Sequence, residues 1–175
     1  LQPGDCPELW CIDHAEDVKA IHRAYREAGS DIVECNSFGG SRYKLDHYGL
    51  ADRAAEINRA AATLAREVAG EDQYVLGSAG PTGEFLAPLG LATEEEMYAV
   101  FREQIGAFEA GGADCVIVET MTALDEAMVA VRAARENTDL VVFGSFSFDP
   151  QANGGYATMM GVRPEAFAEA ALEAG

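Results

Sequence analysis

Four short runs of almost continuous apolar character, "DIVECNSF" (31–38), "YVLGSAG" (74–80), "CVIVET" (115–120) and "LVVFGSFSF" (140–148), punctuate the chain. A strand with one face in water alternates polar and apolar residues, and these runs do not. They read as parallel strands covered by helices. The stretches between them carry the matching helical period. Residues 13–29 place Val18, Ile21, Tyr25 and Ala28 on one stripe, and 51–70 do the same with Ile57, Ala61, Leu64 and Val68. A third helix opens at Thr93 and buries Met97, Val100, Phe101, Ile105 and Phe108. A fourth opens at Thr122 with Leu124, Ala127, Met128 and Val131, and a fifth begins near Pro164, a favourable first-turn proline. Asp13 with Glu16, and Thr93 with Glu96, have capping-box spacing, and Thr122 is followed by Asp125 in the same way.

Helices alternating with parallel strands fit either an open doubly wound sheet or part of a (β/α)8 barrel. The open sheet is expected to carry a G-x-G-x-x-G turn after its first strand, and none occurs; "GSAGPTG" (77–83) is not followed by the Lys-Ser/Thr of a phosphate loop. A complete barrel takes roughly 250 residues. The expectation is therefore a single incomplete (β/α)8 domain spanning 1–175. It would hold strands two to five with their helices, and would lack the first strand and the last three.

Charge narrows the partners. Thirty acidic and 12 basic residues leave a net charge of −18, which repels phosphate backbones and anionic lipid and argues against nucleic-acid or membrane binding. No apolar run approaches the roughly 18 residues of a membrane span, and the first ten residues do not read as a signal peptide. Cys6, Cys11, Cys35 and Cys115 form no C-x-x-C pair, and two of them lie inside apolar runs, so they read as reduced thiols of a cytoplasmic protein. Cys6, Cys11 and His14 lack the spacing and the fourth donor of a metal motif.

In either architecture, ligands bind at the carboxyl ends of parallel strands. Those ends are polar here. Glu119 directly follows Cys-Val-Ile-Val, so its carboxylate should stand at an apolar rim, where a substrate ammonium is a natural partner; pairing with a neighbouring Arg is the structural alternative. Thr120 follows it. Asn36 can serve a polar substrate or cap its turn. Ser78, Gly80, Pro81 and Thr82 form a tight turn that either brings backbone to a ligand or simply reverses the chain. Glu34 and Cys35 are adjacent and cannot both face the interior, and Glu34 is assigned a structural role. His22 and His47 have no nucleophile or ligand partner at motif spacing. The 149–158 loop reads as a mobile substrate-side loop, and Met159 and Met160 beyond it read as packing residues.

Taken together, "GDCPELW", "IHRAYREAGSDIVECNSFGGSRYKLDHYGL", "EINRAAATLARE", "GSAGPTGEFLAPLG", "FREQIGAFEAGGADCVIVETM" and "MGVRPEAFAEAALEAG" resemble the homocysteine S-methyltransferase family. The resemblance covers nearly the whole chain in order. It implies a (β/α)8 barrel in which zinc, held by three cysteine thiolates, binds homocysteine as its thiolate for methylation. Methylcobalamin, carried on a corrinoid protein or domain, or betaine would be the methyl donor. By position, Glu119 in "VETM" would hold the substrate's amino group, Asn36 in "ECNSF" matches the family's "ETNTF", and Gly80-Pro81-Thr82 matches its "GPT". The family's first strand is expected before Leu1 and its zinc cysteines beyond Gly175, so none of the four cysteines here is expected to be a ligand. Arg163 replaces the small capping residue before "PEA". Two other readings share these features: a corrinoid-dependent demethylase acting on another methyl donor, and a non-catalytic half-barrel that self-associates through open sheet edges.

Overall fold

The computed structural model describes residues 3–152 and 154–174. Gly175, which closes the third Glu-Ala-Gly of the sequence, lies outside them. The elements run α1 (Trp10–Asp13), α2 (Ala15–Glu27), β1 (Ile32–Glu34), α3 (Arg42–Asp46), a 3-10 turn (Ala51–Arg53), α4 (Ala54–Ala69), β2 (Tyr74–Ala79) and α5 (Glu94–Ala110). They continue with β3 (Cys115–Met121), α6 (Leu124–Asn137), β4 (Val141–Phe146), β5 (Asp149–Pro150), β6 (Tyr156–Ala157) and α7 (Pro164–Glu173).

β1 to β4 form one sheet in the order β1-β2-β3-β4, every pair parallel, as the apolar runs predict. The helices pack on one face of it. Val33, Cys35 and Val75 meet α2 and α4 in one cluster, while Val116 and Val118 meet α5 and α6 in another. Gly77 and Gly144 point the same way: a Cβ on Gly77 would strike the ring of Phe108, and one on Gly144 the ring of Phe167. The opposite face carries Ile32, Glu34, Tyr74, Ser78, Glu119, Val141 and Phe143. Tyr74 is 64% exposed and Val141 60%. Side-chain alternation along each strand sets this division.

The helix ends explain the repeated Glu-Ala-Gly. Gly29 closes the first copy at φ 96°, a left-handed conformation that only glycine takes without cost. In the second copy Gly111 ends α5 against α4, where a Cβ would lie 2.6 Å from the carbonyl of Arg59, and Gly112 takes the positive φ. Close approach and chain reversal are thus split between two glycines.

Several expectations need correction. Asp13 does not cap the helix that follows. Residues Trp10–Asp13 make a helical turn of their own, and α2 starts after His14 with no side-chain cap. Thr122 does not cap α6 either: Ala123 is the N-cap, and the Thr122 carbonyl accepts from the Thr158 hydroxyl at 2.7 Å. The Thr93–Glu96 capping box is present as predicted. The first strand is shorter than 31–38, because the chain leaves the sheet after Cys35 donates to the Leu76 carbonyl. α3, capped by Ser41, carries no apolar periodicity long enough to read. Apart from these corrections, the 149–158 loop contains the antiparallel β5–β6 ladder and ends at Thr158, whose hydroxyl oxygen also accepts from Met160 and Val162.

Candidate functional site

The carboxyl ends of β1, β2 and β3 meet on the face the helices leave uncovered. Glu119 lies near the end of β3, and its Oε1 accepts from the Ser78 hydroxyl on β2 at 2.5 Å. Ser78 is 1% exposed and doubly tied to the loop after β1. Its N–H donates to Ser37 Oγ at 3.2 Å, and the Ser37 hydroxyl donates to the Ser78 carbonyl at 2.9 Å. Gln104 of α5 in turn donates to the Ser37 carbonyl at 3.1 Å. The Glu119 carboxylate is thus aimed by a chain of hydrogen bonds running back into the helical layer.

Glu34, assigned a structural role from sequence, stands beside Glu119. The rule that Glu34 and Cys35 face opposite ways holds, but Cys35 packs among Cys11, Val33 and Ala61 on the helix side, which leaves Glu34 on the open face. Partial desolvation pushes the Glu34 carboxyl above its usual range, and the charge and hydrogen bonding of Glu119 add to that. Two carboxyls held together favour one shared proton, or a cation between them.

Thr120, next to Glu119, has φ 58°, the one left-handed non-glycine residue among those described. A β-branched side chain is strained there. The β3–β4 register slips between Val118 and Met121 at the same point, so β3 is bulged where it presents Glu119. The Thr120 hydroxyl donates to Glu119 Oε2 at 3.4 Å, and its N–H donates to Ser145 Oγ at 3.5 Å.

The other predicted residues divide. Gly80 lies where a Cβ would meet the Phe38 ring at 2.6 Å, and its N–H donates to the Phe38 carbonyl at 3.1 Å. A side chain there would have to displace the edge of that partly exposed ring. Pro81 carries the chain into Thr82, which is buried and turned toward α6: its N–H and hydroxyl both donate to Glu126 Oε1, at 2.7 and 2.6 Å. Sequence reading passed over Glu126, since its partner is 44 residues away. Asn36 turns from the carboxylates, and its amide donates to the Pro7 carbonyl at 2.8 Å and to Cys11 Sγ at 3.7 Å. It fastens the N-terminal segment. Glu8 does similar work, accepting from the Gly39 N–H at 2.8 Å.

A groove of about 540 Å³ runs beside β1, lined by Trp10, Ile21, His22, Tyr25, Glu34 and Asn36 among others. His22 is buried there, and burial lowers its pKa. The cysteines face inward: burial pushes the Cys11 thiol up to about 12 and Cys115 up to about 11, and raises Cys35 and Cys6 as well. Such thiols resist becoming thiolates. Among the described residues no three His, Cys, Asp or Glu side chains converge as a metal set, and no helix is long and apolar enough to cross a membrane.

Four parallel strands with helices packed on one face make this an α/β protein. Residues 2–175 match the homocysteine S-methyltransferase family, and the chain belongs to that family of methyltransferases. It is 38% identical over 141 residues to the methionine synthase of Mycobacterium tuberculosis, covering 74% of this chain and 11% of that protein. It is 33% identical over 129 residues to betaine–homocysteine S-methyltransferase 1 of Sus scrofa, covering 71% of this chain and 45% of that protein. The chain thus spans less than half the length of these relatives. Its fold superimposes on the metallated form of the homocysteine methyltransferase MmuM from Escherichia coli with a TM-score of 0.77, at 20% identity, over 99% of this chain and 65% of that one.

Proposed function

We propose that this chain supplies the amino-acid-binding half of a homocysteine S-methyltransferase site, built on a segment of a (β/α)8 barrel. The carrying observation is the Ser78–Glu119 hydrogen bond at 2.5 Å, with Glu34 beside it on the uncovered face. Glu119 accepts the substrate ammonium. Ser78 holds the carboxylate in one orientation, and Glu34 contributes further carboxyl oxygens beside it. Charge-assisted contacts of this kind contribute more than neutral ones.

Thiol activation is a separate matter. The family resemblance calls for zinc held by thiolates, and the four cysteines of this chain do not fit that role: they are buried, with raised pKa values. Methylcobalamin on a corrinoid domain is the donor suggested by the likeness to methionine synthase, and nothing in the Glu34–Ser78–Glu119 cluster selects among donors. Isothermal titration of L-homocysteine into the full-length protein tests the reading. Glu119→Gln should weaken binding by about 10- to 100-fold, the loss of one charge-assisted contact, with metal content unchanged. Equal affinity in the variant would remove Glu119 from the site.

A further inference from the structure

The end of β2 is held from two sides, and the second holder is a buried acid. On the β1 side Ser37 bonds to both backbone groups of Ser78. On the other side, four residues further along, Thr82 gives its N–H and its hydroxyl to one oxygen of Glu126. The Thr82 hydroxyl oxygen also accepts the N–H of Glu84 at 3.2 Å, so three polar groups of the turn depend on this contact. Thr82 is 2% exposed and Glu126 4%. Glu126 sits in the first turn of α6, the helix that follows the strand carrying Glu119.

Burying a carboxyl is costly, and the cost shows here as a raised pKa. Desolvation raises it first, the two Thr82 donors lower it, nearby Asp125 raises it and Lys44 lowers it. A turn needing only to reverse the chain could meet its N–H with water or a backbone carbonyl. This one spends a buried acid, placed at a helix start where the dipole favours it.

We propose that Glu126 is the positioning residue of this site. By locking the Gly80–Thr82 turn to α6, it fixes the end of β2 and so the Ser78 hydroxyl relative to Glu119. The proposal rests on the homocysteine reading for its functional readout, and on the turn itself for its structural one.

Two measurements on the full-length protein test it: amide hydrogen exchange across residues 78–84, and homocysteine affinity by titration. Glu126→Leu removes the acceptor at similar volume. It should speed exchange at Thr82 and Glu84 by at least about tenfold and weaken homocysteine by about tenfold, with α5 amides unchanged. Glu126→Gln keeps a carbonyl acceptor and should bring both readouts back to within about threefold of wild type. Thr82→Val, which removes only the hydroxyl, should show the same pattern at smaller size and serves if the leucine variant fails to fold. Exchange that rises uniformly over the sheet, or a Leu variant with slow Thr82 exchange and unaltered affinity, overturns the proposal. If the wild-type protein binds no homocysteine, the substrate reading falls, while exchange in the turn still decides whether Glu126 locks it.

Discussion

Glu34 and Glu119 stand on strands separated by β2, yet their carboxyl groups meet across it on the uncovered face of the sheet. Ser78 lies between them and commits its hydroxyl to Glu119. Glu34 is left with raised proton affinity and no cation of its own beside it among the causes of that shift. The arrangement suits a ligand that brings a positive charge.

The pH dependence of stability follows with a definite sign. The folded-state pKa of Glu34 lies above its ordinary value of 4.5. A group shifted that way stabilises the fold most when protonated, below the unfolded pKa, and the contribution is lost as pH rises through the folded value. Glu34→Gln mimics the protonated form at every pH. Thermal unfolding should therefore show the variant close to wild type at pH 4, below that ordinary value, and above it in Tm at pH 8. A difference that is the same at both pH values would show that the two carboxyls do not repel.

Packing behind the site gives a second expectation. Gly77, on the helix face of β2, has the Phe108 ring where its side chain would be: a Cβ would lie 2.4 Å from Cδ2 and 2.6 Å from Cγ. Phe108 is fully buried and its ring root cannot swing away. Gly77→Ala should cost about 1–3 kcal/mol, read as a lower denaturant midpoint with unchanged slope. Adding Phe108→Leu should make the double variant less unstable than the sum of the two single changes, because the bulk removed is the bulk that clashes. Simple additivity would show that the ring moves aside unaided.

How much of this was legible in the sequence depends on the range of each interaction. The parallel sheet and the Thr93–Glu96 capping box were readable because apolar runs and i,i+3 spacing are local signals. The same spacing misled at Asp13, because the Trp10–Asp13 turn absorbs that residue before α2 begins. The position of Glu34 beside Glu119 was out of reach for a different reason. Alternation says that neighbours face opposite ways but not which way, and the helix-side packing of Cys35 decides it. The left-handed backbone of Thr120 and the Thr82–Glu126 contact had no local signature at all. One comes from the register slip against β4, the other from a residue brought in by α6.

The two helix starts at Thr93 and Arg163 make a matched pair for the last prediction. At Thr93 the Glu96 N–H donates to the threonine Oγ1 at 3.2 Å, and the Thr93 N–H donates to Glu96 Oε2 at 2.9 Å. α7 has the same extended backbone at its N-cap, with φ −91° and ψ 154°, but Arg163 supplies no side-chain acceptor there. Its contact with Glu165 at 3.5 Å is between side chains each 71% exposed, and such pairs contribute little. A serine in that backbone conformation could accept from the first turn of α7. Arg163→Ser should therefore raise stability by about 0.5–1 kcal/mol, and Thr93→Ala should lower it by about 1 kcal/mol. Both are read by urea unfolding of the full-length protein. Loss of stability in Arg163→Ser would mean that the arginine contributes through its aliphatic stem, and the start of α7 would then be held by packing and not by its cap.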